Sequence, residues 1–320
     1  GLTASGGAPV VANGINSNEL IDDAWRNLGN TAINVVYTVV PVGQNGCLGN
    51  SFTVTATINS EPVVTNQTIT ICSDAALGVN FNSSSSVGAT SYNVTNLQLN
   101  GLVVSAGGAA IATGLTANAL FNDAFTNLTS LPVNVIYTVV PVSAAGCEGE
   151  SFTVTVTVNP EPIVANQVLP ICSDVALGLT LGNDIDGPSA VTYNITNINS
   201  NGLPASAGSP IVANNVLSNE LFNDAWTNTT SLPVDVVYTI VPVSAVGCSG
   251  NPFTVTVTVN PEPVVANQTV TMCSDLPLGL VLGNDSNGPN VVSYNITNIT
   301  TNGLTASAGS PIVANNVLSN

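Results

Sequence analysis

The feature that most constrains the fold is a strand–loop–strand unit that occurs three times along the chain. Its first copy runs over residues 35–42, continues through a loop that contains Gly-Cys, and ends with residues 52–58. The other two copies occupy residues 135–158 and 236–259. Valine and threonine alternate in these segments. A period of two is typical of β-strands that have one face in a core and the other in water.

The copies follow one another at intervals of 100 to 101 residues, because Gly1, Gly101, Gly202 and Gly303 begin equivalent stretches. A repeat of this length is a whole domain. We place the boundaries at the proline-containing segments near residues 60, 161 and 261, which stiffen the chain in an extended form.

These boundaries predict four parts of the chain. Residues 1–60 form the C-terminal part of a repeat, 61–160 and 161–261 are complete repeats, and 262–320 form the N-terminal part of a further repeat. Since both ends fall at matching points of a repeat, we expect the sequence to be a window of a longer protein.

Cations are almost absent. The 320 residues include 18 acidic residues, Arg26 as the one basic residue and no histidine, and the net charge is −17. This charge argues against a nucleic-acid backbone or an anionic membrane surface as partner. No segment approaches 18 uninterrupted apolar residues, so we expect no membrane insertion. Without histidine, Ser-His-Asp and Cys-His catalysis cannot occur within the chain, and we expect neither enzyme activity nor a cofactor.

Two local patterns recur in each repeat. Asn-Gly pairs stand at residues 100–101, 201–202 and 302–303, between apolar runs, and predict two-residue type I′ hairpins. A second pattern combines an N-cap residue with an apolar face and predicts one short helix per repeat. It occupies residues 17–25, 118–125 and 218–226. We expect the aromatic residue of this pattern to fill the core, at Trp25, Phe125 and Trp226.

Together these signals give about seven strands and one helical turn in each hundred residues. Short strands separated by regular turns favour an all-β fold of tandem, antiparallel, immunoglobulin-like β-sandwiches.

One sequence pattern resembles a known family. It is Tyr-Thr-Val-Val-Pro-Val, then Gly-Cys, then Phe-Thr-Val-Thr-Val-Thr-Val-Asn-Pro-Glu-Pro. This pattern resembles the PKD-like repeats of very large Bacteroidota surface proteins, which include gliding-motility and other adhesins exported by the type IX system, and the resemblance covers the whole chain. It implies a non-enzymatic, extracellular stalk or filament whose partners are neighbouring repeats and, in a fibre, identical chains.

The cysteines recur two per repeat, which predicts structural disulfides and an oxidising, extracellular setting. They are Cys47, Cys72, Cys147, Cys172, Cys248 and Cys273. If Pro-Glu-Pro is a linker, the expected pairs are Cys72–Cys147 and Cys172–Cys248, with Cys47 and Cys273 bonded outside the sequence. If Pro-Glu-Pro is a hairpin turn, the expected pairs are Cys47–Cys72, Cys147–Cys172 and Cys248–Cys273. Both alternatives stay open from the sequence.

Acidic residues offer one metal signal. Asp184 and Asp186, and Asp285 in the next repeat, stand at alternating oxygen-rich positions before a glycine, as at the start of a calcium loop. A polar turn is the simpler interpretation. Two other functions therefore stay open: a calcium- or surface-glycan-binding module that acts through avidity, and accessory domains of a secreted enzyme.

Overall fold

The computed structural model describes residues 1–7, 9–81, 86–182, 187–283, 288–307, 309, 311 and 313–318. This part of the chain contains strands and turns and no helix. Residues 1–60 hold β1 (Leu2–Gly6), β2 (Ala24–Asn27), β3 (Ile33–Val39) and β4 (Phe52–Ile58). Residues 61–160 hold β5 (Gln67–Cys72), β6 (Ala89–Gln98), β7 (Val103–Ala106), β8 (Ala112–Leu115), β9 (Ala124–Thr126), β10 (Val133–Ser143) and β11 (Phe152–Asn159).

The following repeat has the same order of strands. Residues 161–261 hold β12 (Gln167–Cys172), β13 (Ala190–Asn199), β14 (Ala205–Ala207), β15 (Ala213–Val216), β16 (Ala225–Trp226), β17 (Val234–Ser244) and β18 (Phe253–Asn260). Residues 262–320 hold β19 (Ser293–Ile296) and β20 (Ala314–Leu318). The described residues fall into two compact units that divide between Glu161 and Pro162.

The strand–loop–strand unit forms the antiparallel hairpin that its alternating pattern predicts. In β10 and β11 the register runs from Val133 opposite Val158 to Val139 opposite Phe152. The valines of one face are buried, and the threonines of the other face are partly exposed. Burying a valine side chain contributes about 1.5–3 kcal/mol, so one face of this hairpin drives the formation of the core.

Each complete repeat is built on a five-stranded sheet. The strand order is β5-β11-β10-β6-β8 in one repeat and β12-β18-β17-β13-β15 in the next. Neighbouring strands are antiparallel, except that the first strand of each repeat lies parallel to the last. The prediction of tandem immunoglobulin-like sandwiches, with about seven strands each, is confirmed.

The second layer is smaller and covers the apolar face of the sheet. It contains the antiparallel pair β7–β9, or β14–β16. Residues 74–81 run beside residues 117–125 and donate backbone hydrogen bonds to them, as from Leu77 N to Asp123 O (2.9 Å). Leu77, Phe81 and Phe125 from this layer pack with Tyr137 and Phe152 of the sheet.

The Asn-Gly turns are present, but they do not close hairpins. Asn100 has φ 49° and Gly101 has φ 93°, as a type I′ turn requires. Leu102 N donates to Leu99 O at 3.0 Å across the turn. The strands on either side, β6 and β7, belong to different sheets. This turn therefore carries the chain from one layer to the other.

The predicted short helix is wrong. Residues 118–123 form two successive turns, closed by Phe121 N to Asn118 O and Asp123 N to Leu120 O, both 3.1 Å, and β9 begins at Ala124. A helical nucleus is costly unless further turns extend it. Here the chain has to become extended at Ala124 in order to pair with β7.

No helix able to span a membrane occurs among the described residues.

Candidate functional site

A carboxylate recurs at the same place in each repeat, buried at Asp123 and Asp224 and partly exposed at Asp23, and three elements position it. An aspartate precedes the short strand of the second layer, a tyrosine comes from the central strand of the sheet, and a glycine lies in the loop after β1, β7 or β14. The three sets are Gly7, Asp23 and Tyr37; Gly107, Asp123 and Tyr137; and Gly208, Asp224 and Tyr238.

In residues 61–160 both oxygens of this carboxylate are hydrogen-bonded. Tyr137 Oη donates to Asp123 Oδ2 at 2.8 Å, and Gly108 N donates to Asp123 Oδ1 at 2.9 Å. The Asp123 side chain is 1% exposed. A buried carboxylate without partners would be strongly destabilising, so these bonds are what allow Asp123 to lie in the core.

Glycine is required beside the carboxylate. Gly107 has φ 80°, and a Cβ at this position would overlap Asp123 Oδ1. Gly208 has φ 72°, and a Cβ at this position would likewise overlap Asp224 Oδ1. L-residues with side chains rarely adopt this backbone conformation, so the close approach of loop and carboxylate depends on glycine.

In residues 161–261 a tryptophan extends the hydrogen-bond chain. Trp226 Nε1 donates to Tyr238 Oη at 3.0 Å, and Tyr238 Oη donates to Asp224 Oδ2 at 3.0 Å. Burial raises the pKa of Asp224, against the effect of the Tyr238 hydrogen bond. Burial and the nearby Asp224 carboxylate also raise the pKa of Tyr238, which keeps the phenol protonated as a donor.

The aromatic residue beside this carboxylate fills the core, as the sequence predicts. Phe125 is 0% exposed and Trp226 is 5% exposed. Each contacts the tyrosine of its own repeat at a ring-centroid distance of 6.4 Å. The carboxylates of Asp123 and Asp224 are hydrogen-bonded within their own repeats, so the arrangement suits folding.

The spacing of the cluster is visible in the sequence, although none of the sequence motifs predicted a buried carboxylate. The aspartate precedes the tyrosine by 14 residues and follows the glycine by 16 residues in all three copies. This constant spacing between a core tyrosine and an aspartate is the sequence signal from which the cluster could be predicted.

A second aspartate, in the Cys-Ser-Asp triplets, holds a turn against a neighbouring strand. Asp174 has φ 61°, and its Oδ1 accepts from Thr227 Oγ1 at 2.6 Å. This hydrogen bond is the largest cause of the lowered pKa of Asp174. Asp74 accepts from Thr126 in the same way.

The cysteines depart from both predicted pairings. Cys72 and Cys248 are disulfide-bonded, whereas Cys47, Cys147, Cys172 and Cys273 are free thiols. Each predicted pair contains at least one of these free thiols, so none of the predicted pairs is present.

Strand polarity explains why Cys72 and Cys147 do not pair. Cys72 is the register partner of Asn159, at the end of β11, and Cys147 lies in the loop before β11 begins. The eight residues of β11 separate the two positions by about 23 Å at 3.3 Å per residue. A disulfide requires Cα atoms within about 7 Å of each other. The hairpin alternative also fails, because β11 and β12 on either side of Pro-Glu-Pro belong to different sheets.

The candidate calcium ligands Asp184, Asp186 and Asp285 lie outside the described residues, and calcium binding stays a prediction. A rise in Tm in millimolar calcium that is lost when Asp184 and Asp186 are replaced by alanine would support it. Among the described residues no group of three or more histidine, cysteine or acidic side chains is arranged to hold a metal ion.

Comparisons with known proteins identify a family. The model of the PKD-like domain matches residues 7–62, 69–162 and 170–263. No match was found among curated proteins.

Several solved structures are similar at low identity. Human protocadherin-24 EC1-2 is 15% identical with a TM-score of 0.25, and the match covers 64% of this chain and 100% of that chain. A three-immunoglobulin-domain structure of titin is 8% identical with a TM-score of 0.28, covering 72% and 88%. Fibronectin(III)-like modules of Clostridium thermocellum CbhA are 12% identical with a TM-score of 0.23, covering 65% and 96%. TM-scores below 0.5 do not establish a shared fold.

Proposed function

The chain belongs to the PKD-like domain family, and on this premise we propose that it is a non-enzymatic structural region, the stalk or filament of a large extracellular bacterial adhesin. Tandem PKD-like repeats fit such a region. The sequence resemblance described above extends the proposal to Bacteroidota adhesins of the gliding-motility type, exported by the type IX system.

The observation that carries this proposal is the parallel pairing of the first and last strands of each repeat. β5 lies parallel to β11 from Gln67 opposite Val154 to Cys72 opposite Asn159. β12 and β18 have the same pairing. Because parallel strands point the same way, the chain enters a repeat at one end of the sheet and leaves it at the other. Each repeat therefore adds length, roughly 35–45 Å, to a tandem array.

The same pairing gives a repeat resistance to tension. A force applied at the two ends of a repeat pulls β5 and β11 in opposite directions along their common axis. Six register pairs then share the load in each repeat, and they have to separate together. A pair of strands that could open from one end would give way one hydrogen bond at a time.

The recurrent carboxylate supports a structural role for the same repeats. Trp226 Nε1 donates to the hydroxyl of Tyr238, and this hydroxyl donates to Asp224. The same positions carry the cluster in each copy. A cluster that is repeated with every domain and closed on its own atoms stabilises the fold.

Electron microscopy of purified residues 1–320 tests the proposal. We expect extended particles that lengthen by roughly 35–45 Å for each complete repeat added to the expressed chain. Compact globules whose length does not change with repeat number would contradict a stalk. The binding-module alternative is tested in parallel by a glycan array, where saturable binding to one glycan would favour it.

A further inference from the structure

The one basic side chain of the sequence, Arg26, contacts two consecutive repeats. Arg26 lies in β2, and its Nε donates to Glu61 Oε1. Its Nη2 lies 3.1 Å from Oε1 of Glu150, in the loop between β10 and β11. All three residues belong to the compact unit that ends at Glu161. We call this contact of Arg26 with Glu61 and Glu150 the Arg26 bridge.

The Arg26 bridge spans a joint that begins at Glu61 and ends at Val63. Glu61 N donates to Asn27 O at 3.0 Å, which ties the start of the joint to residues before it. Val63 N donates to Ser86 Oγ at 2.7 Å, which ties its end to the following repeat. The ring of Pro62 fixes φ between these two anchors. Only a few backbone torsions therefore remain through which the two repeats can turn against each other.

A guanidinium suits this position because its five N–H donors lie in one plane and can serve two carboxylates at once. The side chains of Arg26 and Glu61 are 34% and 22% exposed, and that of Glu150 is 75% exposed. Without Arg26, two carboxylates of like charge would face each other across the joint. The sequence has no lysine, histidine or second arginine that could replace it.

The equivalent position in the other repeats serves a different purpose. Thr126 and Thr227 occupy it, and each donates its hydroxyl to an aspartate of its own repeat, Asp74 or Asp174. A threonine at this position therefore closes a hydrogen bond within one repeat. The longer, charged side chain of Arg26 reaches the next repeat instead.

We propose that Arg26 is an electrostatic lock on this joint, which holds residues 1–60 in one orientation relative to residues 61–160 and is released by salt. An exposed ion pair contributes little to the stability of a fold. A small free energy is nevertheless enough to change the ratio of two orientations about five-fold. Screening extends to about 10 Å at 0.1 M salt and only about 3 Å at 1 M, so high salt weakens the lock.

Pulsed electron paramagnetic resonance on residues 1–320 tests the proposal. Spin labels are attached through ketone-bearing amino acids at Thr55 and Gln98, which are exposed in β4 and β6, so that every cysteine is kept. We expect one narrow distance peak at about 0.1 M NaCl. At about 1 M NaCl, the fraction of chains outside this peak should rise about three- to five-fold. A distance distribution that does not change with salt overturns the proposal.

Three variants of the labelled chain separate the bridge from general charge effects. Arg26→Gln should broaden the distribution already at low salt and remove its salt dependence. Glu150→Gln should do the same, because it removes the contact between repeats and keeps Arg26 bonded to Glu61. Glu148→Gln is the matched control, since Glu148 lies in the same loop and its Oε1 accepts from Asn93 Nδ2 at 3.5 Å.

The control should keep the narrow peak and its response to salt. A narrow peak in the Glu150→Gln variant at low salt, or equal broadening by Glu148→Gln and Glu150→Gln, would contradict the proposal. The salt series on the chain with an intact Arg26 bridge does not depend on the folding of these variants. The lock does not rest on the proposed function, on which electron microscopy of particle length reports separately.

Discussion

Residues 1–60 and residues 161–261 carry the same hydrogen-bonded cluster in very different surroundings. Trp25 Nε1 donates to Tyr37 Oη at 2.8 Å, and Tyr37 Oη donates to Asp23 Oδ2 at 3.0 Å. The same bonds in residues 161–261 measure 3.0 Å each. The burial differs, because Phe52 is 50% exposed whereas its equivalent Phe253 is 2% exposed.

This difference in burial shows which features follow from the local sequence and which require strands that are distant in the sequence. The hairpin β3–β4 keeps the register of β17–β18, from Ile33 opposite Ile58 to Val39 opposite Phe52. It forms a two-stranded sheet, whereas β17 and β18 have β13 and β12 as further neighbours. Pairing and register thus follow from alternation and turn length, and the core depends on strands that come earlier in the repeat.

The largest expected effect comes from removing the buried aromatic ring. Phe253→Ala should lower the free energy of unfolding of residues 161–261 by about 3–5 kcal/mol, because the ring leaves a cavity beside Tyr193. Urea unfolding followed by Trp226 fluorescence in a Trp25→Phe background measures this. Phe52→Ala, followed by Trp25 in a Trp226→Phe background, should cost about 1 kcal/mol or less. Equal losses would contradict the contrast in burial.

A smaller effect is expected where the loop between β17 and β18 packs on Pro162. Gly250→Ala should destabilise residues 161–261 by about 1–3 kcal/mol, because a Cβ would overlap the Pro162 carbonyl oxygen and backbone has to move. At the equivalent Gly49, the three atoms nearest to a Cβ all belong to Pro41, the closest being side-chain Cγ at 2.9 Å. Gly49→Ala should therefore cost less, and a neutral Gly250→Ala in the same urea titration would refute the close contact.

The shared hydrogen-bond cluster gives a third contrast. Tyr238→Phe leaves Asp224 and Trp226 Nε1 without their common partner in a buried site, which should cost about 1–3 kcal/mol. Tyr37→Phe should cost less than about 1 kcal/mol, since the partly exposed Asp23 and Trp25 are accessible to water. Thermal unfolding followed by the fluorescence of each tryptophan measures both. A Tyr37→Phe loss as large as that of Tyr238→Phe would contradict the prediction.

The smallest expected effect is a loss of stability as the pH falls into the acid range. The Thr227 hydrogen bond lowers the pKa of Asp174, so the folded pKa lies below the unfolded value of about 3.9. The resulting stabilisation is present above pH 3.9 and is lost as the pH falls through the folded pKa. Asp174→Asn should lower the urea midpoint of the Trp226 signal at pH 7, and the difference from the unsubstituted chain should vanish in acid.

Thr227→Val is the control for this prediction, because it removes the same donor and keeps the carboxylate. Neither Asp174→Asn nor Thr227→Val should change the urea midpoint of the Trp25 fluorescence signal, since residues 1–60 contain no Cys-Ser-Asp triplet. A difference between the Asp174→Asn variant and the unsubstituted chain that stays constant from pH 7 to pH 2 would show that the charge of Asp174 is not responsible.

The sequence was sufficient for features that depend on near neighbours. Alternation predicted the hairpins, Asn-Gly predicted the turns, and the aromatic residues at 125 and 226 were predicted in the core. The helix prediction failed because residues 118–123 have a local turn pattern, while pairing of Ala124 with β7 ends the turn. That pairing is between segments distant in the sequence.

The cysteine pairing failed for a related reason. The period-two pattern of Gln67–Cys72 is the same whether the strand lies parallel or antiparallel to β11, and only the parallel arrangement places Cys72 and Cys147 at opposite ends. The buried carboxylate was missed because an aspartate in a turn is ordinarily solvated. Only its pairing with Tyr137 across the two layers makes Asp123 part of the core.

Single-molecule force extension of residues 1–320 under reducing conditions tests most directly whether each repeat is a mechanical unit with its first and last strands paired in parallel. The account predicts two force peaks from the two complete repeats, each releasing about 300 Å of chain, and no comparable peak from residues 1–60, whose hairpin β3–β4 is a two-stranded sheet in the described part of the chain. A smooth extension without discrete peaks, or release of the two repeats as one unit, would contradict it.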